Sequence, residues 1–248
     1  MICIKPEKDL EQLRISGKIL ACILKKLEGF IKPGVSTGQI NQLAEELVRK
    51  ESAQPAFKGY KGFPASVCTS INEEIVHGIP GERELKEGDI IGLDLGITYQ
   101  GYFSDAASTI AIGRVSHSIQ KLIEVTKNAL FIGIKQAIPQ NKLSDISHSI
   151  QDYVEKNGFS VIREFVGHGI GYKLHEEPEI PNFGRPHQGP VLKSGMVFAI
   201  EPMVSMGTWE AEILENGWTA VTKDRLPSAH FEHTVAITEG GPQILTVC

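Results

Sequence analysis

Cysteine, long apolar runs and blocks of like charge are all scarce in this 248-residue chain, and each scarcity removes a class of protein. The four cysteines, Cys3, Cys22, Cys68 and Cys248, show no CxxC or other paired spacing. Such a pattern is expected of reduced thiols in a cytoplasmic protein and excludes a disulfide-built miniprotein. The longest apolar run near the N-terminus, Ile19 to Leu24, has six residues, far short of a membrane span. Lys5, Glu7, Lys8 and Asp9 precede it and no small-residue cleavage site follows, so no secretory signal is expected. There is no basic block, and the formal net charge is −5, which argues against dedicated nucleic-acid or anionic-membrane binding. What remains is ordinary: 41% hydrophobic residues, 22% charged, and enough length to bury a core. Disorder, collagen and coiled coil are excluded on the same grounds.

The chain repeats itself. Leu85-Lys86-Glu87-Gly88 returns as Leu192-Lys193-Ser194-Gly195, an offset of 107. Six residues after each glycine a carboxylate interrupts an apolar run: Asp94 in the first copy and Glu201 in the second. Upstream, the segment from Ile31-Lys32-Pro33 to Ile40 matches that from Ala137-Ile138-Pro139 to Ile146 at an offset of 106. We expect a single domain, 1–248, with related halves at about 10–113 and 117–240. Each half opens with two helical patterns. In the first they are Leu10, Leu13, Gly17, Leu20, Ile23, Leu24 and Leu27, then Ile40, Leu43, Ala44, Leu47 and Val48. Ser36-x-x-Gln39 forms a capping box at the second start. In the second half the patterns run from Ile119 to Ile134 and from Ile146 to Val154. Strand-like stretches follow at Ile90–Ile97, Tyr102–Ile112, Val197–Val204 and His233–Thr238. The order predicts an α+β fold, with an antiparallel sheet carrying helices on one face and a site between the halves.

Four acids sit where an ionised carboxylate is costly. Asp94 and Glu201 lie in apolar strands. Asp105 and Glu232 each lead into a similar stretch, Thr109-Ile110-Ala111-Ile112 and Thr234-Val235-Ala236-Ile237. Taken singly, each is more simply a salt-bridge partner or a solvent-facing strand residue. Four in duplicated positions are not, and facing one another they would repel and take up protons. Two divalent cations remove that difficulty. Hard oxygen donors with an imidazole suit Mn(II), Fe(II) or Co(II) better than a thiolate zinc site. His168, between Gly167 and Gly169, together with His77 and His175, are the candidate imidazoles. His117, His148, His187 and His230 are read as surface residues, and Glu176, Glu177 and Glu179 as a solvated loop edge. Gly34-Val35-Ser36-Thr37-Gly38 matches the serine-hydrolase elbow in letters only, since a Lys-Pro-Gly turn precedes it. The glycines around His168 do not satisfy GxGxxG and open no periodic helix, so the signal for dinucleotide binding is weak.

In that order Asp94, Asp105, His168, Glu201 and Glu232 resemble the metal-ligand set of the methionine aminopeptidases, within the creatinase-like "pita-bread" metallopeptidases. Lys32-Pro33-Gly34, Ser70-Ile71-Asn72-Glu73 through Pro80, Asp94-Leu95-Gly96, Gly167 to Gly171 and Glu201-Pro202 extend the resemblance over nearly the whole chain. The compact length is similar to that of the bacterial type I form. The resemblance implies a pita-bread fold and removal of N-terminal methionine when the second residue is small. Asp94 would hold one metal, Asp105 and Glu232 would bridge two, and His168 and Glu201 would bind the second. A metal-bridging hydroxide would attack the first peptide bond, Glu201 would handle the proton, and His77 and His175 would contact the scissile amide. The implied ions are two of Co, Mn or Fe(II), with Zn a further option.

Tyr60, Cys68 and Trp218 agree with the family's methionine pocket. Phe57, Phe63 and Leu174 stand where it usually has Cys, Tyr and Phe, and Tyr172 replaces a common Arg. The implied partners are peptide and nascent-chain N-termini, with a transient ribosome contact; no membrane or nucleic-acid partner is implied, and a monomer is expected. A proline-type peptidase of the same superfamily and a non-catalytic binding relative are the alternatives. The chain begins Met1-Ile2, and a bulky second residue predicts that its own Met1 is retained.

Overall fold

Two helical pairs form where the 3.6-residue periodicity puts them, in the computed structural model that describes residues 2–248. Met1 lies outside the described residues. Helix α1, Glu7–Phe30, buries Leu10, Leu13, Leu20, Ile23, Leu24 and Leu27 along one face. Helix α2, Thr37–Lys50, begins at Ser36, whose hydroxyl accepts from the Gln39 amide at 3.2 Å while the Gln39 side chain accepts from the Ser36 amide at 2.9 Å. The serine that spells a hydrolase elbow is therefore a helix cap. Helices α3, His117–Gln136, and α4, Leu143–Lys156, repeat the arrangement.

The repeat also appears in backbone hydrogen bonds. Gly34 donates to Leu85 and Leu85 to Val35; about 106 residues on, Gln140 donates to Leu192 and Leu192 to Asn141. Each turn before a second helix is thus pinned to the segment leading into an acid-bearing strand.

The main sheet has nine strands, all paired antiparallel. Across it run Gln54–Pro55, Ile90–Tyr99, Tyr102–Ala111, Glu232–Thr238, Val197–Ile200, Gly167–Gly169 and Glu176–Ile180. Cys68–Ile71 adds to the second of these and Gly241–Ile244 to the fourth. Period-two alternation assigns the faces. Ile91, Leu93, Leu95 and Ile97 pack with α1 and α2, while Phe198, Ile200, Val235 and Ile237 pack with α3 and α4. Burying each such side chain contributes roughly 2 kcal/mol. The alternate positions, among them Asp94 and Asp105, turn to the opposite face.

The structure corrects two expectations. The strand expected over Val197–Val204 is broken: Val197–Ile200 stays in the main sheet, and Met203–Ser205 pairs instead with Ser160–Val161 and Ser228–His230. Pro202, without an N–H, cannot continue the ladder. The break leaves Glu201 at the end of its strand. The four cysteines are not all free thiols. Cys22 and Cys248 form a disulfide across 226 residues of sequence, with Cα atoms 5.2 Å apart; Cys3 and Cys68 are free. The pairing arises because the C-terminal segment lies along α1, where a Cβ on Gly17 would stand 2.5 Å from the Leu245 carbonyl oxygen. A bonded pair departs from the four reduced thiols expected of a cytoplasmic protein.

Candidate metal centre

Sheet register brings the acids together. Asp94 pairs with Ala107, and Ala107 with Glu232, so the two carboxylates share a row with one small side chain between them. Asp105 lies two residues from Ala107 and so faces the same way. Thr234 locks its position: the Asp105 amide donates to Thr234 Oγ1 at 2.9 Å, and that hydroxyl donates to the Asp105 carbonyl at 2.7 Å. Two strands beyond Glu232's, His168 pairs with Ala199 of the intervening strand, another small residue. His168 is held between glycines that serve backbone packing rather than a ligand. A Cβ at Gly167 would lie 2.4 Å from the Ala199 oxygen, and one at Gly169 2.2 Å from the Glu177 oxygen. The Nδ1 of His168 sits 2.9 Å from the Gly169 carbonyl. A carbonyl only accepts, so Nδ1 carries the proton and Nε2 keeps a free lone pair, 3.6 Å from Glu201 Oε1.

This cluster is buried and short of partners. Asp105, His168 and Glu232 are buried, and one donor atom from each lies within 4.8 Å of the others. Asp94 Oδ1, Asp105 Oδ1 and Glu232 Oε1 have no hydrogen-bond partner. Burial pushes the Asp94 and Glu201 carboxyls up to about 7. Asp105 and Glu232 are raised as well, by burial and then by the neighbouring acids. Orphaned carboxylate oxygens converging on one point are the donor set a hard divalent cation requires.

The acids line a cavity of about 270 Å³. Every candidate residue from the sequence lines it: Asp94, Asp105, His168, Glu201 and Glu232; His77 and His175; Phe57, Tyr60, Phe63, Cys68, Leu174 and Trp218. Phe63 meets Trp218 edge-on at 5.2 Å, and Phe57 packs where Gly96 lacks a side chain, so a Cβ there would stand 2.6 Å from the ring. Burial and the neighbouring acids raise the Cys68 thiol, which is a packed group rather than a nucleophile.

His77 adopts φ 59°, a left-handed conformation uncommon outside glycine, which aims its ring between Phe165 at 5.6 Å and Trp218 at 6.2 Å. Burial lowers it to about 4. His175 keeps an open edge, yet desolvation among its neighbours and then the His168 imidazole lower it to about 3. Its Nδ1 lies 3.0 Å from the Tyr60 hydroxyl, and the two rings stack at 5.1 Å. Both imidazoles are neutral at pH 7.

The structure places some residues where the sequence reading did not. His230, read as a surface residue, is 3% exposed, and its Nε2 stands 3.3 Å from Glu201 Oε2. The signal was present: two residues before Glu232, it has the parity of a residue on the same strand face. His117 and His187 are exposed as expected, and His148 is half-buried. Glu177 and Glu179 are exposed, but Glu176 is an ion-pair partner of the buried Lys5. Phe165 and Met203 also line the cavity, and no sequence pattern singles them out.

Among known proteins, residues 11–239 match the family described as metallopeptidase family M24. The chain is 54% identical to the methionine aminopeptidase of Clostridium acetobutylicum, over 100% of both chains. It is 51% identical to that of Clostridium perfringens, over 100% of this chain and 99% of the other. The crystal structure of methionine aminopeptidase from Thermotoga maritima superposes with a TM-score of 0.98 at 46% identity, over 100% of each chain. A prolidase from Pyrococcus furiosus, 24% identical, shares the fold with a TM-score of 0.78 over 99% of this chain and 65% of its own.

Proposed function

Because this chain belongs to metallopeptidase family M24 and has its pita-bread fold, we propose that it is a methionine aminopeptidase acting on peptides and nascent proteins whose second residue is small. The observation that carries this reading is a single cavity with two chemistries in its lining: converging, partnerless carboxylates together with apolar, largely aromatic side chains. Asp94, Asp105, His168, Glu201 and Glu232 would hold two divalent ions, Co, Mn or Fe(II), with Zn a further option. Such ions, when bound, supply Lewis acidity and a hydroxide nucleophile at neutral pH.

The chain's own residues do the rest. Glu201 would take the proton of the attacking water and return it to the leaving amine. His77 and His175, kept neutral, donate hydrogen bonds to the scissile amide as charge develops on its oxygen. Tyr60 fixes His175: a hydroxyl donated to Nδ1 leaves the proton on Nε2. Phe57, Tyr60, Phe63, Cys68, Leu174 and Trp218 surround the methionine side chain, where sulfur–aromatic contacts are favourable. The chain acts as one domain whose halves, about 10–113 and 117–240, each contribute acids. It works as a monomer on chain ends in the cytoplasm, where nascent chains emerge, with a transient ribosome contact and no membrane or nucleic-acid partner.

Metal-stripped protein, with Mn(II) or Co(II) restored, is given peptides beginning Met-Ala, Met-Lys, Leu-Ala and Ala-Pro, and the products are read by mass spectrometry. Loss of methionine from the Met-Ala peptide alone is expected. Cleavage of Ala-Pro would reassign the protein to the proline peptidases, and no metal-dependent cleavage would reassign it to a binding role.

A further inference from the structure

His230 is left without a task by the chemistry above, yet its placement is tightly specified. Its strand, Ser228–His230, pairs with Met203–Ser205, with His230 opposite Met203. Its backbone is clamped to the strand that carries Asp105: the His230 amide donates to Thr109 Oγ1 at 2.9 Å, and that hydroxyl donates back to the His230 carbonyl at 2.8 Å. The ring is buried, and Nε2 has no hydrogen-bond partner. That nitrogen stands 3.3 Å from Glu201 Oε2, whereas His168 Nε2 approaches the other oxygen, Oε1, at 3.6 Å. One carboxylate is thus flanked by two imidazoles, one on each oxygen. Only His168 of the two lines the cavity.

We propose that His230 is a positioning residue for the metal centre: its Nε2, unbonded here but 3.3 Å from Oε2 of Glu201, donates to that oxygen once the carboxylate turns into line, leaving Oε1 for the side of the site where His168 stands. The inference rests on the reading that Glu201 is a metal ligand. A carboxylate on a flexible side chain can present either oxygen and rotate its plane. A fixed donor on one oxygen removes that freedom, and an outer partner of this kind governs ligand orientation and metal affinity. It also gives the buried imidazole an acceptor, which an uncharged apolar residue of similar size would not need.

The test is calorimetric titration of metal-stripped protein with Mn(II), together with the absorption spectrum of the Co(II)-loaded form. His230→Leu fills the space without a donor, and His230→Gln restores an N–H at similar reach. The Leu variant is expected to bind Mn(II) about 10- to 100-fold more weakly and to shift the Co(II) bands. The Gln variant is expected to recover most of the affinity. Should the Leu variant not fold, His230→Asn, too short to reach Oε2, is expected to show the same loss. Wild-type affinity in the Leu or Asn variant would overturn the proposal, and so would equal losses in Gln and Leu, which a packing role or direct ligation would give. A Glu201→Ala control separates the underlying reading: if it binds as many ions as wild type with equal affinity, Glu201 is not a ligand, and that reading fails.

Discussion

Asp94 and Glu232 lie two strands apart on one row of the sheet, separated only by Ala107, so both carboxylates meet over a methyl group. A larger residue at position 107 would project between the two acids. The small side chain is as much a part of the centre as the acids.

Ala107→Leu is therefore expected to weaken Mn(II) binding by on the order of tenfold or more, with an overpacking cost of about 1–3 kcal/mol in the folded protein. Titration calorimetry and thermal melts of the same samples check both; unchanged affinity would remove Ala107 from the account.

The raised carboxyls set a pH dependence with a definite sign. Asp94 and Glu201 hold their protons up to about 7 in the metal-free fold, but release them near 4 in the unfolded chain. The metal-free protein therefore loses stability from these groups as pH rises from about 4 to about 7. His77 and His175, lowered to about 4 and about 3, act in the opposite direction, since the unfolded chain takes up their protons first as pH falls. They do so with or without metal. The difference in melting temperature between metal-loaded and stripped protein isolates the carboxylates, and it should widen between pH 5 and pH 7, roughly the window set by these shifts. A constant difference would contradict the assignment.

How much of this could be read from residues alone depended on range. Period-two alternation placed Asp94, Asp105 and Glu232, and the 107-residue offset singled out Glu201, because both signals are written into short stretches of chain. Pro202, which keeps the strand from running past Ile200, writes the break at Glu201 into the sequence as well. The pairings that cross the chain left no local trace. Cys22 meets Cys248 only because the C-terminal segment lies along α1. Glu176 is drawn in from the solvated edge by Lys5, which lies far from it in sequence. His230 is an intermediate case, its parity legible and its neighbour Glu201 not.

Lys5 and Glu176 form a buried ion pair that ties the N-terminal segment to the loop carrying His175. Lys5→Met leaves Glu176 with only the Tyr172 and Lys173 amides as partners and is expected to cost about 3 kcal/mol in unfolding free energy, a loss largely relieved by adding Glu176→Gln. Chemical denaturation of the single and double variants measures this, and additive losses would show that the pair is not coupled.

Tyr60→Phe removes the hydroxyl that orients His175 and should lower kcat/KM for a Met-Ala peptide by about tenfold, at the scale of one lost hydrogen bond to the reacting geometry, while leaving Mn(II) affinity unchanged. A fall in metal affinity would instead tie Tyr60 to the centre itself.

The central claim is that this acidic cluster holds the ions that cleave an N-terminal methionine. Its most direct test compares wild type and Asp105→Asn, each stripped of metal, on one Met-Ala peptide with and without Mn(II), with circular dichroism as the check on folding. The account predicts methionine release by wild type only when Mn(II) is present, and none by a folded Asp105→Asn under either condition. Cleavage by stripped wild type, or wild-type turnover by the variant, would contradict it.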